Sequence, residues 1–227
     1  MTWAAMFTSS IGKKLVMGIT GLSLIAFLVV HVGINSCIFA ADDGAIFNKA
    51  AHFMGSTILI RIAEVGLFAG LILHIIQGLM LEYQNNAKRT SKYIVTNASA
   101  NSKWYSRSMG ILGTLLLFFL ALHLFHFWVK ARFGGDIPDV TIGGTQMHNM
   151  YALMKITFQE LWIVVAYVAG CVALCWHLVH GFESSFRTVG VSSQKYLTLI
   201  KNAGIGFSII VSLAFTMMPI ALYLGWV

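Results

Sequence analysis

Five long apolar runs alternate with short polar segments along the chain. Each run is long enough to cross a hydrocarbon core about 30 Å thick, which takes roughly 20 helical residues. The runs are hydrophobic on all sides over many turns and show no period-two alternation, so they predict helices and not barrel strands. We therefore expect an all-α, polytopic membrane bundle, a single transmembrane domain over residues 1–227, with spans near 15–40, 58–82, 108–131, 158–182 and 203–226.

Composition agrees with a membrane protein. Of the 227 residues, 58% are hydrophobic and 10% are charged, against about 25% charged residues in an average soluble domain. The first apolar run exceeds the length of about 7 to 15 residues of a signal-peptide core and lacks a cleavage site behind it, so we interpret it as a true span. Cys37, Cys171 and Cys175 form no metal-spaced cluster with histidines, and we interpret them as packing residues.

Basic residues are concentrated in the loops on one side of the predicted membrane, which predicts that this side is cytoplasmic. The chain is then a multi-pass protein of the bacterial cytoplasmic (inner) membrane, with the amino terminus inside and the carboxy terminus outside. The same excess explains the formal net charge of +7 without nucleic acid. The residues on the basic side are Lys13, Lys14, Lys88, Arg89, Lys92, Lys103, Arg107, Arg187, Lys195 and Lys201.

Four segments outside the spans carry further expectations. The mildly amphipathic stretch 1–12 is expected to lie along the inner surface, and residues 41–56 to contain a short interfacial helix on the outer side. Residues 133–145 contain four glycines and a proline and are expected to form a connector. The basic inner loop 84–103 either only follows the orientation rule or also docks an acidic cytoplasmic subunit.

Six of the eight histidines lie inside predicted spans. Ionisable residues at membrane depth are costly and mark ligands, protons or ions. One such histidine alone could be a hydrogen-bonded contact between helices. Histidines in four consecutive spans, with the fifth span free of them, require another explanation. The six residues are His31, His74, His123, His126, His177 and His180.

Depth in the membrane sorts these histidines into two tiers. At a rise of 1.5 Å per residue, His31 lies roughly 25 Å in from Lys14, and His123 lies roughly 24 Å in from Arg107. His74 lies roughly 12 Å, and His177 roughly 15 Å, from the inner ends of their helices. Two histidines at equal depth on different helices can fill the axial positions of one haem iron. We predict two b haems, one bound by His31 with His123 and one by His74 with His177.

Each ligand assignment on the third and fourth spans has a competitor three residues away. On the third span we prefer His123 to His126. On the fourth span we prefer His177 to His180, because His177 repeats the His74–Gly78 spacing with Gly181. A glycine one turn from the ligand leaves backbone surface on which a porphyrin could lie, although small residues also serve helix packing. The other histidine of each pair could bond a haem propionate, line a quinone pocket or pack.

Arg61 and Glu64 enter the outer part of the second span. Their spacing of three places them on one helix face, where they can form an ion pair. The alternative is that they deliver protons to a quinone near the outer haem.

The residues resemble the cytochrome b subunit of succinate dehydrogenase and fumarate reductase, in its single-chain, two-haem, five-helix form. The resemblance covers nearly the whole chain. It is carried by the loop Phe47-Asn48-Lys49-Ala50-Ala51-His52-Phe53-Met54, by Val30-His31, by Leu73-His74 with Gly78, by His123-Leu124 before Phe127-Trp128, and by His177 with Gly181, Ser184 and Phe186.

The resemblance implies a membrane anchor that exchanges electrons with menaquinone in the lipid bilayer. Its partners would be a flavoprotein subunit with covalently bound FAD and an iron–sulfur subunit that carries the clusters. The chemistry of succinate and fumarate would belong to the flavoprotein. Some menaquinol-oxidising fumarate reductases carry a glutamate two residues before the fourth-span ligand. That position is Cys175 here, which favours succinate oxidation.

Three alternatives have different signatures. A haem-free transporter could use the buried histidines for protons or metal, but it would be expected to have more intramembrane carboxylates or broken helices. A haem-free anchor would lack a Soret band. A haem anchor of hydrogenase or formate dehydrogenase would purify with different subunits.

Overall fold

The computed structural model describes residues 9–87 and 104–227. Its helices are α1 (Ser10–Ser36), α2 (Ala45–Ser56), α3 (Ile58–Ala87), α4 (Trp104–Arg107), α5 (Met109–His123), α6 (Lys130–Phe133), α7 (Met150–Thr157), α8 (Leu161–Thr188) and α9 (Gln194–Tyr223), with a 3₁₀ turn at Cys37–Phe39 and a π-helical segment at Leu124–Val129. The strands are β1 (Asp139–Ile142) and β2 (Thr145–His148). Most of residues 1–12 and of the basic loop 84–103 lies outside the described part, so the expectations for them stay predictions.

Five helical segments are long and apolar enough to cross a membrane, which confirms the predicted fold class of an all-α, multi-pass membrane protein. They are Ser10–Phe39, Ile58–Gln84, Met109–Phe133, Leu161–Thr188 and Gln194–Tyr223, called here the first to fifth spans. Following the predicted orientation, we call the end of the bundle at Ser10 the inner end and the end at Ser36 the outer end.

The first four spans form a ring. The first contacts the second, the second contacts the third, the third contacts the fourth, and the fourth contacts the first. The fifth span lies outside this ring and packs on the fourth and the first. Spans one and three are therefore diagonal to each other, as are spans two and four.

The outer end of the bundle holds the main cluster of buried apolar side chains, contributed by the 3₁₀ turn, α2, α7, the link between α7 and α8, α8 and α9. Its members are Ile38, Phe47, Tyr151, Met154, Phe158, Ile163, Val164, Tyr167, Met218 and Leu222. In the second span, by contrast, Gln77 is the only described residue that is buried. The second span is thus the least tightly enclosed of the five.

Helix α2 is the short helix predicted within residues 41–56. Gly44 precedes it with φ +75°, and a Cβ there would come within 2.3 Å of the Tyr151 ring, so both the backbone and the close contact require glycine. The buried Asn48 side chain donates to Asn149 Oδ1 over 3.0 Å and accepts from the Tyr151 backbone N–H over 3.0 Å. These bonds fasten α2 to the start of α7.

The connector predicted at residues 133–145 is more ordered than expected. Its second half enters an antiparallel hairpin in which Ile142 pairs with Thr145. The turn residues Gly143 and Gly144 have φ of +62° and +80°, as a two-residue hairpin turn with two left-handed positions demands. The glycines therefore build a specific turn in addition to ending the helix.

Candidate functional site

The structure brings His31 and His123 together across the ring of helices. Their ring centroids lie 5.8 Å apart and their planes are nearly perpendicular, at 89°. Phe27 stacks on His31 at 5.0 Å, and Phe215 of the fifth span lies 5.5 Å from it. We call these two histidines the outer pair.

His74 and His177 form a second pair nearer the inner end, called here the inner pair. Their ring centroids are 6.2 Å apart, with an angle of 62° between the planes. The Thr20 hydroxyl lies 3.2 Å from His74 Nδ1 and donates to the Val16 carbonyl over 2.7 Å. Because a hydroxyl has one proton to donate, the Thr20 oxygen accepts from His74 Nδ1–H. This bond leaves His74 Nε2 unprotonated and able to bind a metal.

The two pairs fit the axial positions of a haem. A bond between a metal and an imidazole nitrogen is about 2 Å long, so two rings on opposite sides of one metal have centroids roughly 6 Å apart. Among the residues that the structure describes, the Nδ1 atoms of His123 and His177 are buried and have no hydrogen-bond partner. Within the described residues, no three or more His, Cys, Asp or Glu side chains are placed to hold a metal ion together. A metal held by two histidines needs its other ligands from elsewhere, and a porphyrin supplies four nitrogens.

The environment of His126 supports the preference for His123, whereas burial does not separate His180 from His177. His126 is buried, its Nδ1 lies 3.1 Å from the Tyr167 hydroxyl, and the two rings are nearly parallel at 5.9 Å. It therefore has a protein partner, whereas His123 Nδ1 has none. His180 lies on the fourth span three residues beyond His177 and is partly buried.

The glycines near the two histidine pairs differ in the space around them. Beside Gly181, no described atom outside its own helix backbone lies within 4 Å of the position of a Cβ, and beside Gly78 the nearest is the flexible tip of Met17 at 3.4 Å. Both positions are compatible with the predicted haem surfaces. At Gly21, which sequence reasoning missed, a Cβ would lie 2.9 Å from Ser185 Oγ and 3.6 Å from His74 Cε1. Glycine there lets the first span approach the inner pair closely.

Gly170 has a similar role for the outer pair. Phe119 stacks on His123 with ring centroids 5.8 Å apart at an angle of 27°. A Cβ on Gly170 would come within 2.4 Å of the Phe119 ring, which a rigid aromatic side chain cannot accommodate without moving. The third span is π-helical just after His123, and π-helical segments inside α-helices are frequent at functional sites.

Glu64 is the centre of a polar cluster at the outer end of the second span. Its carboxylate accepts hydrogen bonds from Arg132 Nη2 over 2.9 Å and from Trp128 Nε1. Arg61 Nε lies 3.6 Å away, so the predicted ion pair with Arg61 is present. Sequence reasoning missed Arg132 and Trp128 as partners of Glu64, because both reach it from the third span.

A cavity of about 340 Å³ adjoins this cluster. Its wall combines the charged residues with Trp128 and with the apolar side chains of Val65, Phe68 and Phe133. The ring of Phe68 packs on that of Trp128 at 4.8 Å. An apolar pocket with a few converging polar groups is typical of a small-molecule site.

Comparison with known proteins gives one informative result. No family model matches the chain, and no solved structure matches it. The chain is 25% identical over 182 residues to the succinate dehydrogenase cytochrome b558 subunit of Bacillus subtilis (strain 168), an alignment that covers 77% of this chain and 80% of that protein. This similarity supports the resemblance to the cytochrome b subunits of succinate dehydrogenase.

Proposed function

We propose that this chain is the di-haem cytochrome b membrane-anchor subunit of a succinate:quinone oxidoreductase. The observation that carries the proposal is the presence of two histidine pairs on diagonal helices, with ring centroids 5.8 Å and 6.2 Å apart. Four histidines placed at random in four spans would not meet in two such pairs. The similarity to a succinate dehydrogenase cytochrome b subunit supports the same function.

The four histidines would hold the haems and leave their irons no open position. His31 and His123 would bind the outer haem, and His74 and His177 the inner haem. A haem with two histidine ligands accepts and releases one electron at a time and binds no substrate at the iron. The ring of helices would hold the two haems at different depths, so that electrons could cross the membrane between partners on opposite sides.

The cavity beside Glu64 is our candidate for the quinone site. Menaquinone has an apolar ring and tail with two carbonyl groups, and the cavity offers apolar walls with Arg61 and Arg132 beside a carboxylate. Reduction of a quinone to a quinol takes up two electrons and two protons. Glu64 would pass protons to or from the quinone. Arg61 and Arg132 would hold the Glu64 carboxylate in place.

The remaining chemistry would belong to other subunits. A flavoprotein with covalent FAD would oxidise succinate, and an iron–sulfur subunit would pass the electrons to the inner end of this chain. Cys175, at the position of a glutamate in some menaquinol-oxidising relatives, supports succinate oxidation as the direction.

The test is a reduced-minus-oxidised visible spectrum of the complex purified from membranes, with a pyridine haemochrome assay for haem per chain. We expect two low-spin b haems per chain, reduction of haem by succinate, and co-purification of a flavoprotein and an iron–sulfur protein. Freshly prepared material without haem would overturn the proposal. It would favour a transporter that uses the histidines for protons or metal.

A further inference from the structure

Thr20 of the first span makes polar contacts that fix the direction of its hydroxyl group. Its Oγ1 lies 2.7 Å from the Val16 carbonyl oxygen and 3.2 Å from the Met17 carbonyl oxygen. Such bonds to carbonyls three and four residues earlier are common for threonine in helices. A further contact crosses to the second span, where Oγ1 lies 3.2 Å from His74 Nδ1. The oxygen is therefore held in place beside a histidine of the inner pair.

The number of protons on the hydroxyl determines the direction of the contact with His74. A hydroxyl group has one proton to donate and two lone pairs with which it can accept. Because the proton of Thr20 points to the carbonyls of its own helix, the Thr20 oxygen accepts from His74 Nδ1–H. A histidine that binds a metal almost always donates its other ring N–H in this way, which orients the ring and raises its basicity. Thr20 supplies that acceptor for His74.

The two histidines of the inner pair differ in this respect. Among the residues that the structure describes, the buried Nδ1 atom of His177 has no hydrogen-bond partner. Gly21, next to Thr20, brings the first span close to His74, since a Cβ on Gly21 would lie 3.6 Å from His74 Cε1. The protein therefore acts on the inner pair through a hydrogen bond to His74 and not to His177.

We infer that Thr20 is a positioning residue that lowers the reduction potential of the inner haem. The inference rests on the proposed function, because it requires a haem between His74 and His177. Donation from Nδ1–H to Thr20 increases the electron density at His74 Nε2, and a more electron-rich ligand stabilises ferric iron more than ferrous iron. A lower potential makes the inner haem a better donor of electrons to the outer haem.

The experiment is a potentiometric measurement of both haems in the purified complex carrying Thr20→Val. Valine keeps the branched shape of threonine and removes the oxygen. The inner haem should become roughly three- to tenfold easier to reduce, and a tenfold change is about 59 mV for a one-electron couple. Thr20→Ser retains a hydroxyl at this position and should keep the wild-type potential.

Thr157→Val is the matched control. Thr157 is 7% exposed and Thr20 is 8% exposed, so the two positions are equally enclosed. The Thr157 hydroxyl also donates to the carbonyl four residues earlier, that of Leu153, over 2.8 Å. Within the described residues it makes no hydrogen bond to a histidine. Valine at this position removes the same kind of helix bond, so both potentials should keep their wild-type values.

The affected haem is identified in backgrounds that retain one haem. The rise in potential should appear with His31→Ala, which leaves the inner haem, and be absent with His74→Ala, which leaves the outer haem. Selective loss of the inner haem in Thr20→Val, with both haems retained in Thr20→Ser, would also support the inference. If Thr20→Val does not assemble, Thr20→Ala replaces it with the same expected rise.

A Thr20 that only joins the first span to the second would give a different result. The Thr20→Val complex would then melt earlier, but its two haems would keep their potentials. That result, a fall in the inner potential, or an equal rise in Thr157→Val would overturn the inference while leaving the proposed function intact. Wild-type complex without haem would overturn the proposed function itself.

Discussion

Replacing His123 and His126 separately tests which of the two histidines would bind the proposed outer haem. The two residues lie about one turn apart on the third span, and both point toward the interior. Only His123 pairs with His31, at 5.8 Å between ring centroids. His126 instead lies 3.1 Å from the Tyr167 hydroxyl. We therefore expect His123→Ala to remove an axial ligand and His126→Ala to remove a hydrogen bond.

The His123 substitution should change haem binding, whereas the His126 substitution should lower thermal stability. Without His123, the outer iron keeps one protein ligand, so haem per chain should fall from two to one, or the outer haem should become high-spin. Without His126, the buried Tyr167 hydroxyl loses its partner, which costs about 1 to 3 kcal/mol. At about 2 to 4 °C per kcal/mol for a domain of this size, the thermal midpoint should fall by roughly 2 to 12 °C.

The assay is a pyridine haemochrome measurement on each purified variant, with a low-temperature spectrum to identify the spin state and a thermal melt. The His126→Ala protein should keep two low-spin haems and melt earlier than the wild type. The reverse pattern, with the outer haem lost in His126→Ala and both haems intact in His123→Ala, would refute the assignment and transfer the ligand role to His126.

Three further substitutions test the candidate quinone site, the packing beside the outer pair, and the link between α2 and α7. Glu64→Gln should keep both haems but lower succinate:menaquinone turnover at least tenfold, because the amide cannot exchange a proton; unchanged turnover would exclude Glu64 from quinone chemistry. Gly170→Ala should lower the occupancy of the outer haem by displacing the ring stacked on its ligand, whereas Gly206→Ala, with no atom within 4 Å of its Cβ position, should not; equal haem content in the two proteins would contradict this. Asn48→Ala should lower the thermal midpoint by roughly 4 to 8 °C, as expected for about 2 kcal/mol, because it leaves the backbone N–H of Tyr151 unsatisfied; a shift below about 1 °C in the melt would show that the bond contributes little.

The hydrophobic pattern located all five spans but misjudged where some helices end. The fifth span begins at Gln194, nine residues before the predicted start at 203. The fourth extends to Thr188, beyond the predicted end at 182. Hydropathy marks the part of a helix that crosses hydrocarbon, whereas the backbone bonds continue into the polar turns beyond it. The first two turns of the fifth span, which contain Lys195 and Lys201, are therefore invisible to a search for apolar residues.

The histidine pairs could be predicted because the rise of a helix converts residue number into depth. Depth sufficed for the histidines because an ionisable side chain at membrane depth usually also faces the bundle interior. The partners of Glu64 could not be found this way. Arg132 and Trp128 lie more than 60 positions further along the chain, and their approach depends on how the second and third spans pack. Depth alone does not determine which side chains of two helices face each other.

The fifth span shows why a bundle with histidine pairs on four helices includes another helix. It carries no histidine, yet Phe215 packs against His31 with ring centroids 5.5 Å apart. Further toward the inner end, Gly204 approaches the Phe182 ring so closely that a Cβ would be 2.7 Å away, which joins the fifth span tightly to the fourth. The fourth span bears His177, and the first bears His31. By packing on both, the fifth span restrains one helix of each histidine pair and thereby stabilises the spacing on which both proposed haem sites depend.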